Sequence, residues 1–445
     1  VFDARADRMA AREREAVSFR KRTRQRVLLA AAALAVAVAH GGCERLGAGG
    51  APGRRPDVIV FVVDSLRRDH LDLYGYRRAT GPQLRAFADD AVVFTNAYST
   101  SSWAAPAIGS LLGGFYSHRR GAGSAALPPE VFTLPEYLGR AGYRSVGLSA
   151  NPAIGADPGF AQGFAAFDVL AGASADAVVT AALDHLGRSD AATPLLLYVQ
   201  VSDPRGPYAP PPRYLENWPP KGAGPFDPGQ IDPATPALIV ADLHAAYDGE
   251  IAFADAEFGR LVEALRGAER YDDAMIIFAA SHGEELQEHG GGGHGRTLFE
   301  EVVAIPMVIK FPRNAGAGEF VHGPVSLVDI LPTVLPVAGV ATNAKVDGLD
   351  LAHVVEGQGQ QLRDRALYFA LESAEAGAAA FKTRAVLQHG DKYIDTAGVD
   401  DSGELYRLAL DPFEQRDVAA SERSRAQRLA RLLERPGDTR GESKR

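Results

Sequence analysis

Four polar stretches in this chain carry residue types that could do chemistry together. Asp64 closes the apolar run from Asp57 to Val63 with a carboxylate. Ser202-Asp203-Pro204-Arg205 follows the run Leu195 to Val201, and Ser281-His282-Gly283-Glu284 follows Ala274 to Ala280. In open α/β sheets ligands sit beyond the carboxyl ends of the strands, so Asp64 and the polar residues that end the other two runs are placed for function. The fourth stretch, Ser101 to Gly114, reads as a polar loop feeding a helix, with Pro106 in the first turn where a missing N–H costs nothing. A helix start directed at a cleft offers unpaired N–H groups and a positive dipole end, a ready anion site. A nucleophile there would be well activated, yet the chain has Ala104 and Ala105, which have no lone pair to attack with.

Each of these residues has a plainer reading. Asp64 can cap the turn after its strand. His282 can be a hydrogen-bonded cleft histidine, and His289 and His294 flank Gly290–Gly293 as either a surface loop or a ligand contact. Arg67 and Arg68 read as structural salt-bridge partners, Trp103 as packing against a sheet rather than a lid, and Tyr247-Asp248-Gly249-Glu250 as helical packing.

The elements that must position these groups have an α/β grammar. Continuous apolar runs suit strands buried on both faces of a parallel sheet, and ligands in open α/β sheets sit beyond the strands' carboxyl ends. Tyr143–Leu148 and Ile305–Ile309 are further strand candidates, while Ile251, Phe253, Phe258, Leu261 and Leu265 show helical spacing. Strands alternating with helices predict a mostly parallel central sheet covered by helices on both faces. Residues 206–236, dense in proline and glycine, predict a long ordered loop beside the cleft. After about Pro312 the texture changes to short strands near Ala385–Leu387 and Lys392–Ile394 and a final helix near Ser421–Leu433. This predicts a smaller α+β subdomain with a short antiparallel sheet.

A chain of 445 residues with 46% hydrophobic and 23% charged residues is ordinary for a globular protein, and a net charge of −9 without a basic stripe excludes a nucleic-acid footprint. The first residues differ. An Arg-rich lead ends at Arg26, and the uncharged run Val27–Ala39 follows, 13 residues that rise only about 20 Å as a helix, too short to span a bilayer comfortably. This is the pattern of an export segment, with Met9 a later candidate start. Cys43, the only cysteine, is placed like the acylated residue of a lipoprotein signal; the other reading is an uncleaved signal anchor. Both place the rest of the chain outside the cytoplasm, at the cell envelope, and a lone cysteine excludes an internal disulfide. The expected organisation is an N-terminal extension and export segment (1–43), a flexible linker (44–55), an α/β domain (56–312) and a C-terminal subdomain with its tail (313–445).

Seven stretches in order resemble the sulfatase family of the alkaline phosphatase superfamily. They run from VVDSLRRDHLDLYGYRRATGPQLRAFADDAVVFTNAYSTSSWAAP through GFAQGFAAFD, VSDPRGPYAPP, SHGEELQEHG, HGRTLFEEVVAIP and SLVDILPTVLPVAGV to GELYRLALDPFEQRDVA. The similarity is to the bacterial branch whose nucleophile is often Thr or Ser. Where another branch has Gly-Lys-Trp-His, this chain reads Gly147-Leu148-Ser149-Ala150-Asn151.

The resemblance implies an alkaline-phosphatase-like fold and hydrolysis or transfer of sulfuric or phosphoric esters with a divalent cation, Ca²⁺ in particular. It places Asp64 and His282 at metal positions, with Ser65 and Ser281 where aspartates commonly stand. It places Ala104 at the nucleophile, Ala107 and Ile108 where a Ser and an Arg or His follow it, and Arg205 at a family histidine. His118, Arg205, His294 and Arg296 match the polar anion-binding cleft. Departures at 104, 108, 205 and 281 point toward a cleft that binds an anionic ester, glycan or lipid head group without turning it over. The alternative is an active metal-dependent hydrolase or transferase with a nonstandard nucleophile; Ser101 and Ser102 lie in the preceding loop.

Overall fold

The computed structural model describes residues 54–116, 126–155, 157, 159–222, 226–341, 345–372, 381–396 and 403–434. The export-type segment with Cys43, most of the linker, and His118 lie outside the described residues.

Strands form where β-branched, leucine and aromatic residues run together. They are β1 (Val58–Val63), β2 (Val92–Tyr98), β3 (Arg144–Ser149), β4 (Ala166–Val169), β5 (Leu195–Val201) and β6 (Met275–Ala280). The short β7 (Glu285–Leu286) and β8 (Gly292–Gly293) pair only with each other. The main sheet is completed by β9 (Ala304–Lys310) and β10 (Phe320–Ser326), giving eight strands in the order β10-β2-β9-β6-β1-β5-β3-β4. β1 pairs in parallel with β5 and β6, β3 with β4 and β5, and β10 with β2. β9 runs antiparallel to both neighbours, β2 and β6. The sheet is mostly parallel, as expected, with one reversed strand.

Every residue of β1, β5, β6 and β9 is buried, so apolar cover is required on both faces. The helices are α1 (Pro82–Phe87), α2 (Ala104–Gly113), α3 (Leu134–Arg140), α4 (Ala175–Gly187), α5 (Ala237–Gly267), α6 (Glu300–Val303) and α7 (Ile330–Val337). α5 packs against α1 and α4, whereas α2, α3 and α7 pack together. Phe258 of α5 meets Phe61 of β1 at 5.2 Å and Phe278 of β6 at 4.9 Å between ring centres, the tilted contacts aromatic pairs prefer.

β10 and α7 lie past the boundary expected at residue 312, yet β10 is in the main sheet and α7 packs on α2 and α3. The large layered unit therefore extends beyond 312. The change of texture there marks proline- and glycine-rich turns, not a change of core. Beyond it, β11 (Leu367–Glu372), β12 (Phe381–Gln388), β13 (Asp391–Thr396) and β14 (Glu404–Arg407) form the expected antiparallel sheet. α8 (Arg423–Glu434) packs against it through Ala426, Leu429 and Leu433.

Candidate functional site

The parallel register sets the carboxyl ends of four strands side by side. Val63 is level with Val201 and with Ala280, and Ser149 with Gln200. Asp64, Ser281, Gln200 and Asn151 therefore converge, all of them buried. Asn151 Nδ2 donates to Asp64 Oδ2 at 2.7 Å and Gln200 Nε2 to Asp64 Oδ1 at 2.8 Å. Ser281 Oγ donates to the same Oδ1 in a short contact. Both amides are themselves oriented. Asn151 Oδ1 accepts the Ala153 N–H at 3.0 Å, and Gln200 Oε1 accepts the hydroxyls of Tyr198 at 2.8 Å and Ser149 at 3.1 Å.

Ser65 and His282 flank this group. Ser65 has a left-handed backbone (φ 58°), its carbonyl accepts the Tyr247 hydroxyl at 2.6 Å, and its buried Oγ has no partner among the described residues. His282 is buried, with Nδ1 at 2.8 Å from the Gly283 carbonyl, which places the ring proton on Nδ1. Burial pushes its imidazole well below the ordinary histidine value, His294 and Arg205 add to the effect, and the Gly283 carbonyl opposes it. His282 is therefore neutral at pH 7. The donor set does not fit a divalent cation. One carboxyl group faces three hydrogen-bond donors, and no group of three or more His, Cys, Asp or Glu residues among those described is arranged to hold a metal ion.

The helix start is where the sequence predicts it, with Ala104 and Ala105 in its first turn and Trp103 preceding it in an extended conformation. Both nearby hydroxyls are buried and touch the backbone. Ser102 Oγ donates to the Thr297 carbonyl at 2.8 Å, and Ser101 Oγ accepts the Trp103 N–H at 3.4 Å. Trp103 departs from the expected packing against the sheet. It is 40% exposed, lies edge-on to His294 with ring centres 5.3 Å apart, and covers Gly295 so closely that a Cβ there would come within 2.2 Å of the indole.

Beside this, Arg205, His294 and Arg296 share an open cavity of about 310 Å³ with Asp227 and Glu284. Three of the four expected anion-binding residues are thus together, and the fourth, His118, lies outside the described residues. Asp64 does not line this cavity; it is fully buried. Glu284 Oε1 holds His294 Nδ1 at 2.9 Å, while its buried Oε2 has no partner among the described residues. Gly292 lies against the Pro228 carbonyl, where a Cβ would approach to 2.0 Å, so the 226–231 segment can close one wall only over glycine. The described part of the 206–236 segment lies beside the cleft and contributes Gly206 and Asp227–Gly229 to its lining, with Arg205 just before it. It is fastened by Tyr208 N–H to the Phe226 carbonyl at 2.7 Å and Ala209 N–H to Glu250 Oε1 at 2.7 Å. Burial, and then the Asp203 carboxyl beside it, raise the Glu250 pKa above the usual carboxylate range.

His289 is structural rather than a cleft ligand. Its Nδ1 meets Glu301 at 2.7 Å, its Nε2 meets the Glu414 carbonyl at 3.1 Å, and its ring stacks on Phe299 with centres 3.7 Å apart. Arg67 is an ion-pair residue, to Asp69 and Glu288, but Arg68 donates to the Thr95 carbonyl instead. Asp248 does more than pack, since it gathers His70, Tyr76 and Arg78. The residues that sequence reasoning missed are Gln200, Asn151 as a donor to Asp64, and the Glu284–His294 pair.

With this geometry in view, the similarities to known proteins are specific. A family model described as Sulfatase matches residues 56–340, and one described as N-sulphoglucosamine sulphohydrolase, C-terminal, matches residues 288–436. The chain belongs to the sulfatase family, whose members hydrolyse sulfate esters and generally use a divalent cation. It is 20% identical to an N-acetylglucosamine-6-O-sulfatase of Bacteroides thetaiotaomicron, over 86% of each chain. It is 22% identical to an uncharacterised sulfatase of Escherichia coli, over 69% of this chain and 72% of that one. Among solved structures, one in complex with its substrate D-glucosamine-2-N,6-O-disulfate aligns with a TM-score of 0.73 at 20% identity, covering 86% of this chain and 97% of that chain. A phosphonate monoester hydrolase of Agrobacterium radiobacter aligns at 0.70 and 23% identity, covering 85% and 94%. These likenesses establish the alkaline-phosphatase-like fold.

Proposed function

We propose that this sulfatase-family chain has lost the ester chemistry of its family and binds an anionic ester, foremost a sulfated glycan, in the cleft of Arg205, His294 and Arg296. The observation that carries the reading is the state of the nucleophile loop. Ala104 has no attacking atom, and the adjacent Ser101 and Ser102 hydroxyls are buried in hydrogen bonds to the backbone. Two guanidinium groups beside an imidazole still suit a sulfate or phosphate ester, which they engage by charge-assisted hydrogen bonds. Relatives that act on or bind sulfated sugars support the glycan over a lipid head group or simple ester.

One observation favours the competing reading of an active hydrolase with a nonstandard nucleophile. Glu284 orients His294 as a buried carboxylate orients a general base, and a water molecule could then attack. Calorimetric titration with a sulfated oligosaccharide and its desulfated counterpart tests the binding. We expect binding of the sulfated form alone, weakened at least about tenfold, roughly 1.4 kcal/mol, by Arg205→Ala or Arg296→Ala. Equal binding of both forms contradicts it.

We further propose that the chain acts outside the cytoplasm at the cell envelope, tethered to the membrane through Cys43 and the flexible 44–55 segment. The apolar Val27–Ala39 run before Cys43 supports this. Among the described residues no helix is long and apolar enough to cross a membrane, so the tether would rest on the N-terminal segment. Cys43→Ala should move the protein from the membrane to the soluble fraction; unchanged fractionation contradicts a lipid tether.

A further inference from the structure

We propose that Asp64, Asn151, Gln200 and Ser281 form a cation-independent clasp joining the carboxyl ends of β1, β3, β5 and β6, in the place where relatives of this family generally hold a divalent ion. A hard cation requires lone pairs that converge on one point. Here N–H and O–H groups converge instead on the Asp64 carboxyl group: Asn151 Nδ2 at 2.7 Å, Gln200 Nε2 at 2.8 Å, and Ser281 Oγ. A cation at Asp64 would face three donors.

The amides are not free to turn their oxygens inward. Rotating Asn151 would break the 3.0 Å bond from Ala153 N–H and set an amide nitrogen against that same N–H. Rotating Gln200 would take the acceptor from the buried Tyr198 hydroxyl and leave Ser149 with the Asn151 carbonyl alone. Each such loss in a dry interior costs more than the bond itself gains. Ser281 is further fixed from behind, since its carbonyl accepts the Ser99 hydroxyl at 2.5 Å. The Ser65 carbonyl is taken by Tyr247, and His282 has its Nδ1 turned to Gly283. The two amides and the Ser281 hydroxyl are therefore consumed in holding the strand ends together, which leaves only the neutral Ser65 hydroxyl and His282 Nε2 beside the Asp64 carboxyl group. The joint between the strand ends is built without an ion, whichever ligand the neighbouring cleft takes.

Metal analysis and melting of the purified chain test this without any activity measurement. After dialysis against a chelator and then against Ca²⁺, Mg²⁺ or Mn²⁺, the protein should hold no stoichiometric metal and melt at the same temperature, to about 1 °C, in chelator and in each salt. Ser281→Asp puts a second carboxylate against Asp64. It should melt about 5 °C lower in chelator and recover in Ca²⁺, because repulsion is relieved only by a bound cation. Should that variant fail to fold, Asn151→Leu removes one donor without adding charge, and its melting temperature should fall equally in chelator and in Ca²⁺. One equivalent of metal surviving dialysis of the wild type, or a chelator-induced drop of about 5 °C, overturns the proposal. Failure to bind a sulfated sugar would leave this result untouched, so the two readings fail separately.

Discussion

Asp64 lies where three side-chain donors meet, and both amide donors are held by a further hydrogen bond. Removing a donor from a buried, otherwise satisfied group costs about 1–3 kcal/mol. Gln200→Leu should therefore destabilise the fold by roughly that amount in urea unfolding, with the Tyr198 hydroxyl left unpaired as well. A change within about 0.5 kcal/mol, the range of an ordinary surface substitution, would show that the network carries no weight. At this scale the sequence is informative about absence and weak about orientation. Ala104 and Ser281 are legible because a missing atom needs no geometry. Gln200 stands out as the polar residue in the buried run Leu195–Val201, yet what its amide faces depends on the pairing of β1 with β5, some 140 positions apart in the chain. The same holds for Trp103, whose contact with His294 and Gly295 is fixed by a loop distant in sequence.

Among the elements, the segment from β7 to α6 is the one that presents His294 and Arg296, and it is braced from the C-terminal sheet. His289 bridges Glu301 and the Glu414 carbonyl, and the buried Lys392 of β13 pairs with Glu300 and Glu414. Burial works against charge on His289, but the Glu301 hydrogen bond and the neighbouring Glu414 outweigh it and push the imidazole up to about 9. Its value in the folded chain lies above the unfolded value of about 6.5. The stability it contributes is thus full below that pH and is lost as pH rises through 9. Glu250, raised by burial and by Asp203, works in the same direction, since a carboxyl protonated in the fold loses stability as pH rises above its unfolded value. Melting temperature should fall from pH 7 to about 9.5, with a shallower slope in His289→Gln. A melting temperature that rises over that range contradicts the brace. This role was not legible from the sequence, where His289 and His294 flank the same four glycines and look equivalent.

For the whole molecule, the order of apolar runs and polar strand ends was enough to define a mostly parallel α/β sheet and a small antiparallel one. What escaped was direction and membership. β9 is as apolar as its parallel neighbours, and nothing local marks its reversal. β10 joins the main sheet from beyond the expected boundary, because pairing with β2 is a long-range choice. The consequence for function is that the sulfatase scaffold brings Arg205, His294 and Arg296 to one cavity, while Asp64 knits the buried strand ends together. The central claim is that this scaffold binds without turning over. The most direct test is steady-state assay of the purified chain on aryl sulfate, phosphate and phosphonate esters with excess Ca²⁺. The account predicts no hydrolysis above the buffer rate. Turnover that persists in Ser101→Ala and Ser102→Ala but disappears in Asp64→Ala would contradict it.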